Sequence, residues 1–135
     1  MDSFFENDYI LIAHQPDLRA VKAVWKKQPG SSEYRDGFNH CYDAVRFYKP
    51  VNYLSDVTNQ GLIKPEDRAW MEEQLMPKVV AEGLRNVAVV LRPDIFKEYY
   101  LQRIREAWEK GSLKMRYFDS MAKAVHWLKS HMEPQ

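Results

Sequence analysis

The densest group of hydrogen-bonding side chains in this chain is Ser55-Asp56-Val57-Thr58-Asn59-Gln60-Gly61, a run of hydroxyls, amides and one carboxylate. A carboxylate such as Asp56 can hold a cation, orient a nucleophile or meet a partner's donor. The same residue types can also turn inward, because Asp, Asn and Thr side chains bond to loop amides one or two residues away and fix a turn. The turn-fixing role is the favoured one for Asp56, Thr58 and Asn59. A second acidic group, Glu66 and Asp67, follows Pro65. Proline suits the first turn of a helix, and carboxylates are stabilised beside the unpaired amides there. Trp70 lies one helical turn further on. Ser55, Asp56, Thr58, Asn59, Glu66, Asp67 and Trp70 are therefore the candidate ligand or partner surface.

Other chemistry finds less support. Zinc needs several converging Cys, His or carboxylate ligands, and the four histidines (His14, His40, His126 and His131) show no such spacing. No Ser-His-Asp or Cys-His arrangement is recognisable. The single cysteine, Cys41, falls on an apolar helical stripe and reads as a small buried hydrophobe rather than a nucleophile. The five glycines form no phosphate-cradling pattern. No cofactor and no metal is expected.

Hydrophobic periodicity supplies the elements that would position these groups. Tyr9–His14 and Leu18–Trp25 read as two paired strands around a turn at Gln15-Pro16-Asp17. Ser31 or Ser32 is placed to cap a helix whose stripe is Tyr34, Phe38, Cys41 and Val45. Pro50 ends it. Val51–Val57 is a strand with Val51, Tyr53, Ser55 and Val57 on one side. Pro65 starts a helix in which Pro77 predicts a kink or break, and Gly83 is a natural stop. Val87–Leu91 is apolar throughout, as a strand covered on both faces would be. Pro93 opens a further helix with Phe96, Tyr100 and Ile104 inward, closed by Gly111. Leu113, Met115 and Tyr117 alternate with Lys114 and Arg116, marking a strand near an edge. Asp119 or Ser120 caps a last helix with Met121, Ala124, Val125 and Leu128 inward. Residues 1–8 and 131–135 are expected to fray.

Alternation of strands and helices predicts an α/β domain spanning residues 1–135, with a mixed, mostly parallel sheet and an antiparallel N-terminal strand pair. A formal net charge of +1 gives no field for a polyanion, so nucleic acid is not an expected partner. The N-terminus is acidic and lacks the basic and apolar segments of a signal peptide, and no apolar run is long enough to span a membrane. The expected location is the cytoplasm. Phe38, Trp70 and Trp127 are candidates to surround an apolar cavity between sheet and helices; Tyr99 or Tyr100, with Trp108 or Trp127, are candidates for a dimer surface or lipid-facing groove.

Three segments together resemble the SpoIIAA-like proteins of the STAS superfamily, specifically stand-alone bacterial members of unassigned function. They are Leu54-Ser55-Asp56 through Gly61-Leu62-Ile63; the stretch from Glu66-Asp67 and Trp70 through Pro77 and Gly83 to Val87-Ala88-Val89-Val90; and Tyr117-Phe118-Asp119-Ser120 with Ala124 and Trp127-Leu128. The resemblance covers nearly the full length and implies helices packed largely against one sheet face. In the anti-sigma-factor antagonists of that superfamily, a serine at a helix start beyond the third strand is phosphorylated to switch partner binding, through added charge and acceptor oxygens. Here the corresponding Ile63-Lys64-Pro65-Glu66-Asp67 holds no hydroxyl. The leading expectation is thus a non-catalytic protein-binding or regulatory module, homodimeric and without the switch serine. The alternative is a carrier or sensor of a small apolar or lipid-like ligand in a cleft between sheet and helices. The carrier would need an apolar cavity of at least a few hundred Å3.

Overall fold

The computed structural model describes residues 2–96, the backbone of 109–110, and residues 112–132. The elements are β1 (Asp2–Glu6), β2 (Ile10–Gln15), a 3-10 turn (Pro16–Leu18), β3 (Ala20–Trp25), α1 (Ser31–Tyr48), β4 (Asn52–Asp56), α2 (Pro65–Trp70), a π-helical turn (Met71–Leu75), α3 (Met76–Ala81), β5 (Asn86–Val90), β6 (Glu109–Lys110), β7 (Leu113–Phe118) and α4 (Met121–Lys129). Residues 93–96 start a helix at Pro93 as expected. The rest of that helix, with Tyr99, Tyr100, Ile104, Trp108 and Gly111, lies outside the described residues.

The strands form one sheet in the order β1-β2-β3-β4-β5-β7-β6. β1, β2 and β3 are antiparallel neighbours, and β3, β4, β5 and β7 run parallel. This is the expected α/β class, and β5 is the expected covered strand, buried at all of its positions. α1 and the α2–α3 segment cross over between successive parallel strands and share one face. Consecutive crossovers of one hand lay their helices on the same side when the strand order is monotonic. α4 follows the last long strand and covers the opposite face.

Period-two alternation divides the core. Val21, Ala23, Tyr53, Val87 and Val89 pack with Tyr34, Cys41, Ala44 and Val45 of α1. Ala20, Leu54, Ala88 and Val90 pack with Leu18 and with Ala124 and Leu128 of α4. Two buried asparagines on the α4 face are hydrogen-bonded: the Asn86 side-chain amide donates to the Asn52 side-chain carbonyl at 3.0 Å, and the Asn52 amide donates to the Leu18 backbone carbonyl at 2.8 Å.

Three local expectations change. Residues 2–6, within the stretch expected to fray, form β1. Its register slips between Ser3 and Phe5, so Phe4 is a bulge residue. The bulge lets neighbouring rings both reach α1: Phe5 stacks on His40 at 3.7 Å, and Phe4 meets Tyr48 at 5.8 Å. The adjacent phenylalanines hid the strand because they break its alternation. Asn7 closes the hairpin, its side-chain Oδ1 accepting from the backbone amides of Tyr9 and Ile10 at 2.8 and 2.9 Å. At α1, neither Ser31 nor Ser32 is the cap. Gly30 holds that position, and its amide donates to the Glu33 carboxylate at 3.0 Å. At the C-terminus, His131 and Met132 continue the hydrogen-bonded turn after α4 rather than fraying; residues 133–135 lie outside the described residues.

Ser120 caps α4 as expected, accepting from the Lys123 amide at 3.2 Å. Gly83 ends α3 with a positive φ of 105°. Pro77 produces its expected disturbance in a specific form. The Met76 amide bonds back to the Met71 carbonyl, a five-residue step, so the backbone widens into a π turn just before the proline. The widening accommodates a residue that lacks a donor and whose ring would crowd the carbonyl four residues earlier.

Candidate functional site

Between the sheet and α1–α3 lies a chamber of about 550 Å3 at the carboxyl ends of β4 and β5. Open α/β sheets bind ligands at these strand ends. Its floor is the sheet, through Tyr53, Val87, Val89 and Met115. α1 supplies one wall with Tyr34, Phe38, Cys41 and Val45. The π turn and α3 form the roof with Met71, Leu75, Met76 and Val79. The mouth is the 57–63 loop together with Arg68, Glu72 and Arg92. The π turn thus has a consequence for the site: it shapes the roof of the chamber beneath the proline-interrupted helix.

The mouth loop is held from both sides. The Asp56 carboxylate accepts from the Thr58 amide at 3.0 Å and from its hydroxyl at 2.7 Å, the inward turn its residue type favours. The Gln28 side-chain amide donates to the Leu62 carbonyl at 3.1 Å. Gly61 sits between these fixings at φ +73°, and a Cβ there would lie 2.8 Å from the Gln28 side-chain oxygen. Both the left-handed backbone and the close approach suit glycine.

Two buried polar residues of the chamber wall, Ser55 and Gln60, make no side-chain hydrogen bond to another described residue. The Ser55 hydroxyl projects from β4 into the chamber, with the residue 5% exposed; Gln60 is 9% exposed, and its side-chain amide also lies at the wall. A molecule in the chamber can hydrogen-bond to both.

Deeper in the wall, the Tyr53 hydroxyl donates to the Cys41 sulfur at 3.2 Å. Burial pushes the Cys41 thiol up to about 12 and the Tyr53 hydroxyl well above its ordinary value. Cys41 is therefore a protonated, inert thiol in neutral solution, as its place on the apolar stripe implies.

The remaining candidate residues sit elsewhere. Thr58 and Asn59 join Ser55 at the chamber, whereas the Asp56 carboxylate is committed to its turn. Asp67 is buried between α1 and α2. It accepts from the Ser31 hydroxyl at 2.6 Å and from the Arg35 guanidinium at 3.1 Å. The Ser31 hydrogen bond, then Arg35, holds its carboxyl below the usual carboxylate range. Ser31 is free for this contact because Gly30 caps the helix. The Arg35 guanidinium also lies 5.2 Å from the Trp70 ring centre. This cluster ties α2 to α1 outside the chamber, and Glu66 is exposed beside it. Of the three aromatics proposed for a cavity, Phe38 lines the chamber. Trp70 is outside it, and Trp127 packs beside Phe118 on the opposite face. Gln60 and the two arginines at the mouth were not singled out by the sequence; the available signal was Gln60's place in the polar run.

Among the described residues no group of three His, Cys, Asp or Glu side chains is placed to hold a metal ion, and no helix is long and apolar enough to cross a membrane. No protein-family model, curated protein or solved structure matches the chain.

Proposed function

We propose that this chain is a non-catalytic carrier or sensor that binds a small, predominantly apolar molecule in the chamber between the sheet and α1–α3. The observation that carries this reading is the chamber itself, about 550 Å3 within a wall dominated by aliphatic, aromatic and methionine side chains. That size lies in the ordinary range of small-molecule sites. Methionines Met71, Met76 and Met115 add side chains that adapt to irregular occupants. The apolar fluorophore N-phenyl-1-naphthylamine tests the reading. Saturable fluorescence enhancement at one probe per chain is expected, and Leu75→Trp should abolish it by filling the roof while the circular dichroism spectrum stays native. No saturable uptake by the unaltered chain overturns the reading.

A second reading, a self-associating protein-contact module, draws on a different surface. Phe47 is 72% exposed and packs against Phe4 and Tyr48 at the outer end of α1. A regulator of the SpoIIAA-like kind would work here without the phosphorylated serine. Sedimentation equilibrium tests the association: a dimer that Phe47→Lys converts to monomer supports it, and a monomer at all concentrations removes it.

A further inference from the structure

Resting on the chamber reading, we infer that α2 is the gate of the chamber, latched shut by the contact of Asp67 with Ser31 and Arg35 of α1. Arg68 of α2 lines the mouth, with Glu72 of the π turn beside it. An outward movement of α2 therefore widens the opening. The facing lip is held in place: the Asp56 carboxylate binds the 57–63 loop at Thr58, and the Gln28 side chain binds it at Leu62. A molecule entering the chamber passes between a pinned loop and a short helix, and the helix is the part that can give way.

What holds α2 down is polar. Of its six residues the single buried one is Asp67, while Ala69 and Trp70 are only partly covered. The rest of the roof has apolar anchors, since Leu75 of the π turn and Met76 of α3 are both buried. A segment with few buried apolar contacts opens locally at lower cost than its surroundings. The latch suits such an opening. The Asp67 side chain is 4% accessible and that of Arg35 is 42% accessible. When α2 lifts, the carboxylate exchanges its bonds to Ser31 and Arg35 for bonds to water, and Arg35 is already wet. Exchange of this kind leaves only a modest net contribution from each bond. The contact is also directional, so it returns α2 to one position. Both ends of α2 adjoin irregular backbone: Gly61, at φ +73°, lies in the loop before it, and the π turn follows it. Hinges are a few loop or element-terminal positions of this sort.

Stopped-flow fluorescence of N-phenyl-1-naphthylamine reads the gate through the rates of probe entry and release. Ser31→Ala removes one hydrogen bond of the latch and leaves the Gly30 cap in place. Asp67→Asn removes the charge and keeps the shape. Each variant is expected to raise entry and release together by roughly tenfold, the scale of one hydrogen bond to a charged group, with the Kd of the probe unchanged. A gate latched alike in the empty and the filled chain scales both rates by one factor, whereas damaged packing around the chamber changes the Kd. Hydrogen exchange follows the motion itself: α2 should exchange faster in both variants, and the C-terminal half of α1 should not. Rates equal to those of the unaltered chain in natively folded variants, or a change confined to one of the two rates, overturn the gate while leaving the chamber reading in place. Failure of the unaltered chain to take up the probe overturns the chamber reading and the gate with it.

Discussion

The two faces of the sheet are built from the same strands and solve opposite problems. On the α4 face, Leu18, Ala20, Leu54, Ala88, Ala124 and Leu128 are all fully buried, and Asn52 and Asn86 beside them are hydrogen-bonded to each other. Small residues at Ala20, Ala88 and Ala124 let the helix approach closely. On the other face, the side chains of Tyr53, Tyr34 and Phe38 meet a helical layer interrupted by a π turn, and a chamber remains. Ser55 and Gln60 in its wall make no side-chain hydrogen bond to another described residue. One face is framework; the other has the properties of a binding site. The contrast comes from residue choice along shared strands, since neighbouring positions of β4 face opposite ways.

The largest expected effect is a difference between two leucine truncations. Leu128→Ala on the α4 face removes a side chain surrounded by packed neighbours, and its cost should approach the upper end of about 2–5 kcal/mol. Leu75→Ala borders the chamber, where contacts are missing already, and should cost at or below the lower end of that range. Urea unfolding of both variants measures the difference. Equal losses would mean that the chamber is not a void in solution.

A second substitution asks whether the face covered by α1–α3 is loose throughout. At Gly37 of α1 a Cβ would lie 2.6 Å from the Trp25 ring, and Trp25 is fully buried. Alanine is ordinarily the better helix former by about 1 kcal/mol. Here the indole has nowhere to move, so Gly37→Ala should destabilise by about 1–3 kcal/mol. A gain in melting temperature would show that slack extends from the chamber to Trp25.

The smallest effect is a pH dependence from the chamber wall. The Cys41 thiol is raised to about 12 in the folded chain, above the ordinary thiol value of about 8.5 expected when unfolded. Its contribution is complete below the unfolded value and is lost as pH rises toward the folded one. One pH unit above the unfolded value, the loss is roughly 1.4 kcal/mol. Comparing urea midpoints at pH 7.5 and 9.5 for the unaltered chain and Cys41→Ala isolates this term. An identical pH dependence in both would show that the thiol is not sealed in the wall.

Much of this architecture is legible in local sequence. The stripe Tyr34-Phe38-Cys41-Val45, the uniformly apolar Val87–Leu91, the Ser120 cap and the Pro77 disturbance each have a physical cause within a few residues. β1 was hidden because a bulge placed Phe4 and Phe5 together and removed the alternation by which a strand is recognised. Ser31 is not the cap because Gly30 holds that position, which leaves its hydroxyl to Asp67, far along the chain. The candidate site was half legible. The polar run from Ser55 to Gly61 drew attention to the right strand exit, yet Asp56, its most conspicuous member, only ties the loop.

Apart from β1 and β6, the sequence by itself determined the order of the described elements, the parallel crossovers from β3 to β5 and the two-sided character of β4 and β5, because these follow from periodicity, proline and glycine. Only the tertiary structure decided which polar residues are left without partners. Whether Asn52 or Ser55 is satisfied depends on what distant segments deliver to it: the Leu18 carbonyl and the Asn86 amide reach Asn52, and no side chain among the described residues reaches Ser55. The chamber has the same origin, since an empty volume belongs to the spacing between elements and has no residue of its own.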